Sequence, residues 1–262
     1  YEISLGLVGS EMCIRDRGVN YLAVAFADEG VLLRERGIRM PIVVLNADEG
    51  SFDLMVAHRL EPEIYNFRSL AFFSKAVERV GEESYPIHIK LDTGMHRLGF
   101  MEGELDMLTE TLGETPSVKV ATIFSHLNCS DMPQEDRYTR EQIARFDRMS
   151  GRLAAALPYP VLRHTANSAA IERFPEAQFD MCRLGLGLYG FGFEHNDELK
   201  PVSTLKSRIV QLKHLSAGEA VGYGRAGKLT RDSVTATVPM GYADGLDRHL
   251  GCGRWSMLVA GR

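Results

Sequence analysis

From Tyr21 onward, short apolar runs rich in β-branched residues alternate with longer stretches whose apolar positions recur every three or four residues. The first pattern predicts strands and the second amphipathic helices. Seven runs read as strands: YLAVA at 21–25, PIVVL at 41–45, PEIYN at 62–66, IHIKL at 87–91, VATIFSH at 120–126, VLRHT at 161–165 and FDMCRLG at 179–185. Between them, EGVLLRERG at 29–37, RSLAFFSKAVERV at 68–80 and REQIARFDRMSGRLAAAL at 140–157 carry the helical period. This alternation predicts an α/β fold, a (β/α)8 barrel of the TIM type whose first strand is missing and would precede Gly18.

The pattern changes after the polar, proline-terminated GFEHNDELKP at 192–201. STLKSRIVQLKHL, SVTATVPMGY and SMLVAG follow as β-like runs separated by glycine-bearing turns, with no helical period between them. We therefore divide the chain into an incomplete barrel at 18–198 and a partial all-β domain at 199–262. Residues 1–17 do not continue the pattern and resemble translated sequencing-adapter sequence, so they are set apart as a non-native tail. The last run stops inside an apolar stretch, so both ends are expected to be cut.

Composition narrows the function classes. A formal net charge of −5, without a dense Lys/Arg run, offers no electrostatic footprint for nucleic acid or an anionic membrane surface. Cys13, Cys129, Cys182 and Cys252 form no C-x-x-C pair and no metal-ligand spacing. They suit reduced thiols, no metal site, and a soluble, cytoplasmic protein.

In a βα barrel the chemistry sits at the C-terminal ends of the strands and in the loops that follow them. Those ends carry Lys90 and Arg97 around DTGMHR, His126 in FSHLN, HTANSAA at 164–170 and RLGLGLYG at 183–190. Lys90, in a strand otherwise made of isoleucine and leucine, is either a snorkelling surface residue or a buried cation held for chemistry. Ser168 is either a helix cap or a ligand, and RLGLG either a turn or a loop whose amides approach a phosphate. Together at successive strand ends, the last two point to a phosphate cradle.

In this order and at these spacings, IKLDTGMHRLGF, FSHLN, HTANSAA, RLGLGLYG, VGYGR and PMGYADG resemble the alanine racemases, fold-type III enzymes that use pyridoxal 5'-phosphate. The resemblance covers roughly residues 18–262. It implies that Ser168 and the amides of Gly185 and Leu186 bind the cofactor phosphate, with Arg183 facing the pyridine nitrogen and His126 and Asn167 beside the ring. It implies Tyr223 as a base acting in the partner subunit's site, hence a homodimer with shared active sites. Arg97 would bind the substrate carboxylate, and Tyr242 and Arg248 would line the entryway. The implied reaction converts L-alanine to D-alanine by two-base proton transfer through a cofactor aldimine, supplying peptidoglycan synthesis.

The family's Schiff-base lysine lies in an A-x-x-K-A-x-A-Y-G-H-G motif that this sequence lacks. The chain as written is therefore expected to be inactive on its own. Lys90 matches a different family lysine, one that is carbamylated in many members; the carbamate would then brace Arg97, which an unmodified Lys90 would repel. A broad-specificity racemase remains a rival, as does a non-catalytic cofactor-binding barrel, although the latter has no β domain. A parent fused to a cell-wall ligase is also open.

Overall fold

The computed structural model describes residues 18–251 and 253–259. The segment 1–17 set apart above, with Cys13, and also Cys252, lie outside the described residues. The chain divides into two compact units, with the boundary between Val202 and Ser203.

The first unit is built on a parallel sheet of six strands in sequential order: β1 (Leu22–Val24), β2 (Ile42–Val44), β3 (Glu61–Ile64), β4 (Tyr85–Lys90), β5 (Val118–Phe124) and β6 (Leu162–His164). Helices α1 (Ala27–Glu35), α2 (Phe52–Ala57), α3 (Phe67–Arg79), α4 (Leu105–Gly113) and α5 (Asp136–Ala156) follow β1 to β5 in turn, and α6 (Ser168–Arg173) follows β6. Sequential parallel order with a crossover after every strand curls a sheet into part of a (β/α)8 barrel.

Local chemistry accounts for the helix boundaries. Asn66 caps α3 by accepting the Ser69 N–H at 2.7 Å, and Ser69 Oγ accepts the Asn66 N–H at 3.4 Å. Leu70, Phe73 and Val77 then recur at helical spacing and are buried. They join Ile42, Ile64, Ile87, Ile89, Ile123 and Phe146 in one continuous apolar core. At roughly 1.5–3 kcal/mol for each such side chain, this core is the main stabilising term of the unit.

The seventh predicted strand does not form. Residues 179–185 run beside β6 and the residues after it, but the only backbone-to-backbone bonds between them are Asp180 N–H to Arg163 C=O and Arg183 N–H to Ala166 C=O, both at 3.0 Å. The Arg163 N–H goes instead to the Asp180 carboxylate at 2.8 Å. A side chain has taken a donor that a ladder would need, and the segment turns into a short 3₁₀ helix at Leu186–Tyr189.

In the second unit, β7 (Gln211–Leu215) pairs antiparallel with β10 (Ser233–Thr237), and β8 (Ala220–Val221) pairs antiparallel with β9 (Gly227–Lys228). This is a β architecture with 3₁₀ turns at Tyr223–Arg225, Tyr242–Asp244 and Arg248–Leu250. Of the third predicted run, residues 256–259 are not in a strand, and Ala260 and Gly261 lie outside the described residues. Among the described residues no helix is long and apolar enough to cross a membrane.

Candidate active site

Strand alternation puts every second side chain on the same face of the sheet, and on one face of β3 to β6 those side chains are polar or aromatic. They are Glu61 and Glu63, His88 and Lys90, Thr122 and Phe124, and His164. All are buried. Above them a cavity of about 740 Å³ opens at the strand ends, lined among others by Glu63, Lys90, Arg97, His126, Ser168 and Arg183.

Arg183 anchors the site. Its guanidinium donates to the carbonyls of Ser125 at 2.7 Å, Thr165 at 3.2 Å and His164 at 3.4 Å. It also reaches His164 Nδ1 at 2.7 Å and His126 Nδ1 at 3.3 Å. Burial pushes its pKa down to about 10, with Glu63 opposing, so it stays a cation at neutral pH.

A guanidinium only donates, which sets the direction of every bond behind it. His164 Nδ1 must accept, so its proton sits on Nε2 and is donated to Thr122 Oγ1 at 3.0 Å. The Thr122 hydroxyl is then free to donate to His88 Nδ1 at 2.8 Å, and His88 Nε2–H donates to the Glu61 carboxylate at 2.8 Å. The result is an ordered chain from Glu61 to Arg183 through four side-chain contacts. His164 is held well below the usual histidine range by burial and then by Arg183 and His88. His126 is pushed down to about 4 by burial and then by Arg183, Lys90 and Arg97, so it too is neutral at pH 7.

At the far side of Arg183, Ser168 Oγ accepts the N–H of Gly185 at 2.9 Å and of Gly187 at 3.3 Å. Leu186 lies between them in the cavity wall, so the two amides that converge on the hydroxyl are those of the flanking glycines. A Cβ on Gly185 would stand 3.9 Å from Ser168 Oγ, over the cradle, and one on Gly187 would stand 2.6 Å from Leu184 Cδ1. Ser168 Oγ, accepting from both amides, keeps its own O–H to donate, and a hydroxyl with backbone amides beside it at a cavity wall is the donor set that a phosphate ester takes. Asn167 is committed nearby: its Oδ1 accepts from Ala170 N–H at 3.0 Å and Ser130 Oγ at 2.8 Å, and its Nδ2 donates to the Leu127 carbonyl at 3.3 Å. Asn167, not Ser168, is the cap of α6.

Lys90 is buried, and its Nζ lies 2.8 Å from Glu63 Oε1 and 5.5 Å from the centre of the Phe124 ring. The snorkelling alternative is thereby removed. Arg97 is exposed on the loop that follows, and that loop is rigidly specified. Asp92 Oδ1 accepts from Gly94 N–H at 2.9 Å and His96 N–H at 3.1 Å, while α5 holds the loop through Tyr138 Oη to Gly94 C=O and Arg145 Nη1 to Thr93 C=O. Gly99 has φ +129°, and a Cβ there would stand 2.6 Å from the Asp92 nitrogen, so the return of the loop to Phe100 requires glycine.

In the second unit Tyr223 is 98% exposed, carried on a turn whose flanking Gly222 and Gly224 have φ of +81° and +65°. Tyr242 is also exposed, with the Arg248 guanidinium 5.8 Å from its ring centre. Glu61, Glu63, His88 and Thr122 lie outside the motifs at the strand ends, and His164 opens one of them. Their signal is polar residues at alternate positions, E-P-E and H-I-K, inside otherwise apolar strands.

A family profile described as alanine racemase, N-terminal domain, matches residues 4–192, and one described as alanine racemase, C-terminal domain, matches residues 202–262. An alanine racemase of Sorangium cellulosum is 36% identical over 251 residues, covering 94% of this chain and 66% of that protein. The chain thus spans slightly less than two thirds of the length of that curated relative. The crystal structure of alanine racemase from D-cycloserine-producing Streptomyces lavendulae superposes with a TM-score of 0.86 at 28% identity, covering 95% of this chain and 67% of that one. A Bartonella henselae alanine racemase solved with covalently bound pyridoxal phosphate superposes at a TM-score of 0.75 and 25% identity, covering 94% and 68%.

Proposed function

The chain belongs to the alanine racemase family, and from that premise we propose that its parent protein interconverts L- and D-alanine with pyridoxal 5'-phosphate as cofactor. The observation that carries this reading is the convergence of the Gly185 and Gly187 amides on Ser168 Oγ, in the same cavity as the hydrogen-bonded Arg183. The donor set fits a phosphate ester, and the cavity has room for a cofactor with a small amino acid. When bound, pyridoxal phosphate supplies an electron-withdrawing ring that acidifies the substrate Cα–H.

The remaining chemistry belongs to side chains. Ser168, Gly185 and Leu186 would hold the cofactor phosphate. Arg183 would face the ring nitrogen as a permanent donor, offering a hydrogen bond without surrendering a proton and so limiting how far charge spreads into the ring. His126, neutral at pH 7, and Asn167 would flank the ring. Arg97 would take the substrate carboxylate as a planar, always-charged fork.

Racemisation needs one group to remove the Cα proton and another to return one to the opposite face. Tyr223 is proposed as one of them, contributed by a partner subunit in a homodimer, with Tyr242 and Arg248 at the entryway. Lys90, paired to Glu63, is the one lysine among the described residues lining the cavity. The 262-residue chain is therefore proposed to bind the cofactor reversibly without racemising alanine by itself. The parent would supply D-alanine for peptidoglycan in the cytoplasm.

The reading is tested by titrating the purified chain with pyridoxal phosphate and following the cofactor's absorbance. Saturable binding is expected, with Ser168→Ala weakening it by about 10- to 100-fold through loss of a bond to a charged group. Absence of saturable binding would overturn the site assignment. Formation of D-alanine from L-alanine by the chain alone would overturn the proposal that it lacks one of its two bases.

A further inference from the structure

The proposed reaction gives Glu63, on the polar face of the sheet, no task. It is 0% exposed, on β3, and its carboxylate faces the cavity beside Lys90. The Lys90 ammonium lies 2.8 Å from Oε1 as an ion pair, and neither carboxylate oxygen has a hydrogen-bond partner. Burial holds the Glu63 carboxyl above the usual carboxylate range against the opposing pull of Lys90, then Arg183, then Arg97, three cations that line the same cavity. A buried carboxylate with a free oxygen among three cations is positioned to orient them.

We infer that Glu63 is the built-in anion of this site: it keeps Lys90 as an ammonium and braces Arg97, in place of a carbamate formed from CO₂ on Lys90. The inference rests on the reading of the cavity as an alanine racemase site. Two physical arguments support it. Carbamylation joins the nitrogen lone pair of a neutral amine to the carbon of CO₂ and releases one proton. An ammonium ion, as in the pair with the buried Glu63, has no such lone pair. A carbamate on Nζ would also set a second anion against Glu63 in the same low-dielectric space, where like charges repel strongly. A fixed glutamate makes the geometry of Arg97 independent of dissolved CO₂.

The test equilibrates the full chain with ¹³C-bicarbonate and looks for a carbamate carbon by NMR, a measurement that needs no cofactor. Wild-type protein is expected to show none, whereas the isosteric variant Glu63→Gln is expected to show one that disappears in the double variant Glu63→Gln/Lys90→Arg. A wild-type carbamate resonance that Lys90→Arg removes overturns the inference, whether or not the glutamine variant folds. A folded Glu63→Gln chain that stays unlabelled overturns it as well.

A second measurement uses the cofactor-loaded chain and propionate, a carboxylate without the amino group, read through the cofactor's absorbance. Glu63→Gln is expected to weaken propionate binding by about tenfold, with bicarbonate restoring part of it, while wild-type affinity ignores bicarbonate. Unchanged affinity in Glu63→Gln would remove the brace on Arg97. Failure of the cofactor to bind in the Ser168 titration would break the racemase reading while leaving the labelling result interpretable.

Discussion

The same three strands, β3 to β5, carry two faces of opposite chemistry. Ile64, Ile87, Ile89 and Ile123 join Leu70, Phe73 and Phe146 in the apolar core. The alternating positions hold Glu61, Glu63, His88, Lys90 and Thr122, equally buried but tied by directed polar contacts. The difference shows that burial alone does not tell what a strand face is for. The apolar face gains stability from each contact independently, whereas each polar residue is tolerable only while its partner is present.

The largest effect expected on this comparison comes from Lys90→Met. It leaves Glu63 buried without its cation and should cost about 3–5 kcal/mol in urea unfolding of the full chain. Removing both charges in Lys90→Met/Glu63→Leu should recover most of that loss; a double variant as unstable as the single one would show that the pair is not the coupling. On the apolar face, Ile89→Ala should cost about 2–5 kcal/mol in the same assay, with no dependence on what occupies the polar face.

A smaller effect is expected from Thr122→Val, which leaves His164 Nε2–H and His88 Nδ1 without the hydroxyl that joins them. It should cost about 1–3 kcal/mol, and because it strips His164 Nε2–H of its acceptor and His88 Nδ1 of its donor, it should also perturb the ring nitrogen resonances of both. Unchanged histidine spectra would sink the ordered chain from Glu61 to Arg183.

The smallest effect concerns pH. His126 is neutral when folded down to about pH 4, whereas an unfolded histidine takes its proton near 6.5. The unfolded state therefore binds more protons between these values, so the contribution of His126 is full above pH 6.5 and is lost as pH falls towards 4. Glu63, whose carboxyl is pushed upward, contributes in the opposite sense as it protonates in the folded state. Melting temperatures of wild type and His126→Gln should therefore diverge at pH 7.5 and converge towards pH 4.5, and parallel profiles would show that His126 carries no such linkage.

Much of this molecule was legible as pattern. Six of the seven expected strands form where alternation and β-branched residues put them, and α1, α3 and α5 overlap the predicted helical stretches. The seventh failed because Asp180 reaches back to the Arg163 amide, a contact between residues that no local pattern joins. At the site, Ser168, Gly185, Arg183 and His126 line one cavity, while Asn167 holds the local backbone. Tyr223 is presented on an exposed turn.

Periodicity is a property of consecutive residues, and it located six strands and three of the helices. The order of residue types at the strand ends determined the family. Partnership across strands was decided only in three dimensions. Whether Lys90 snorkels or is buried depends on β3 lying beside β4, which puts Glu63 within 2.8 Å of its ammonium. The direction of the bonds from Arg183 to Glu61 likewise depends on residues of β3, β4, β5 and β6 meeting on one face, because a donor-only group orders only the acceptors that the fold brings to it.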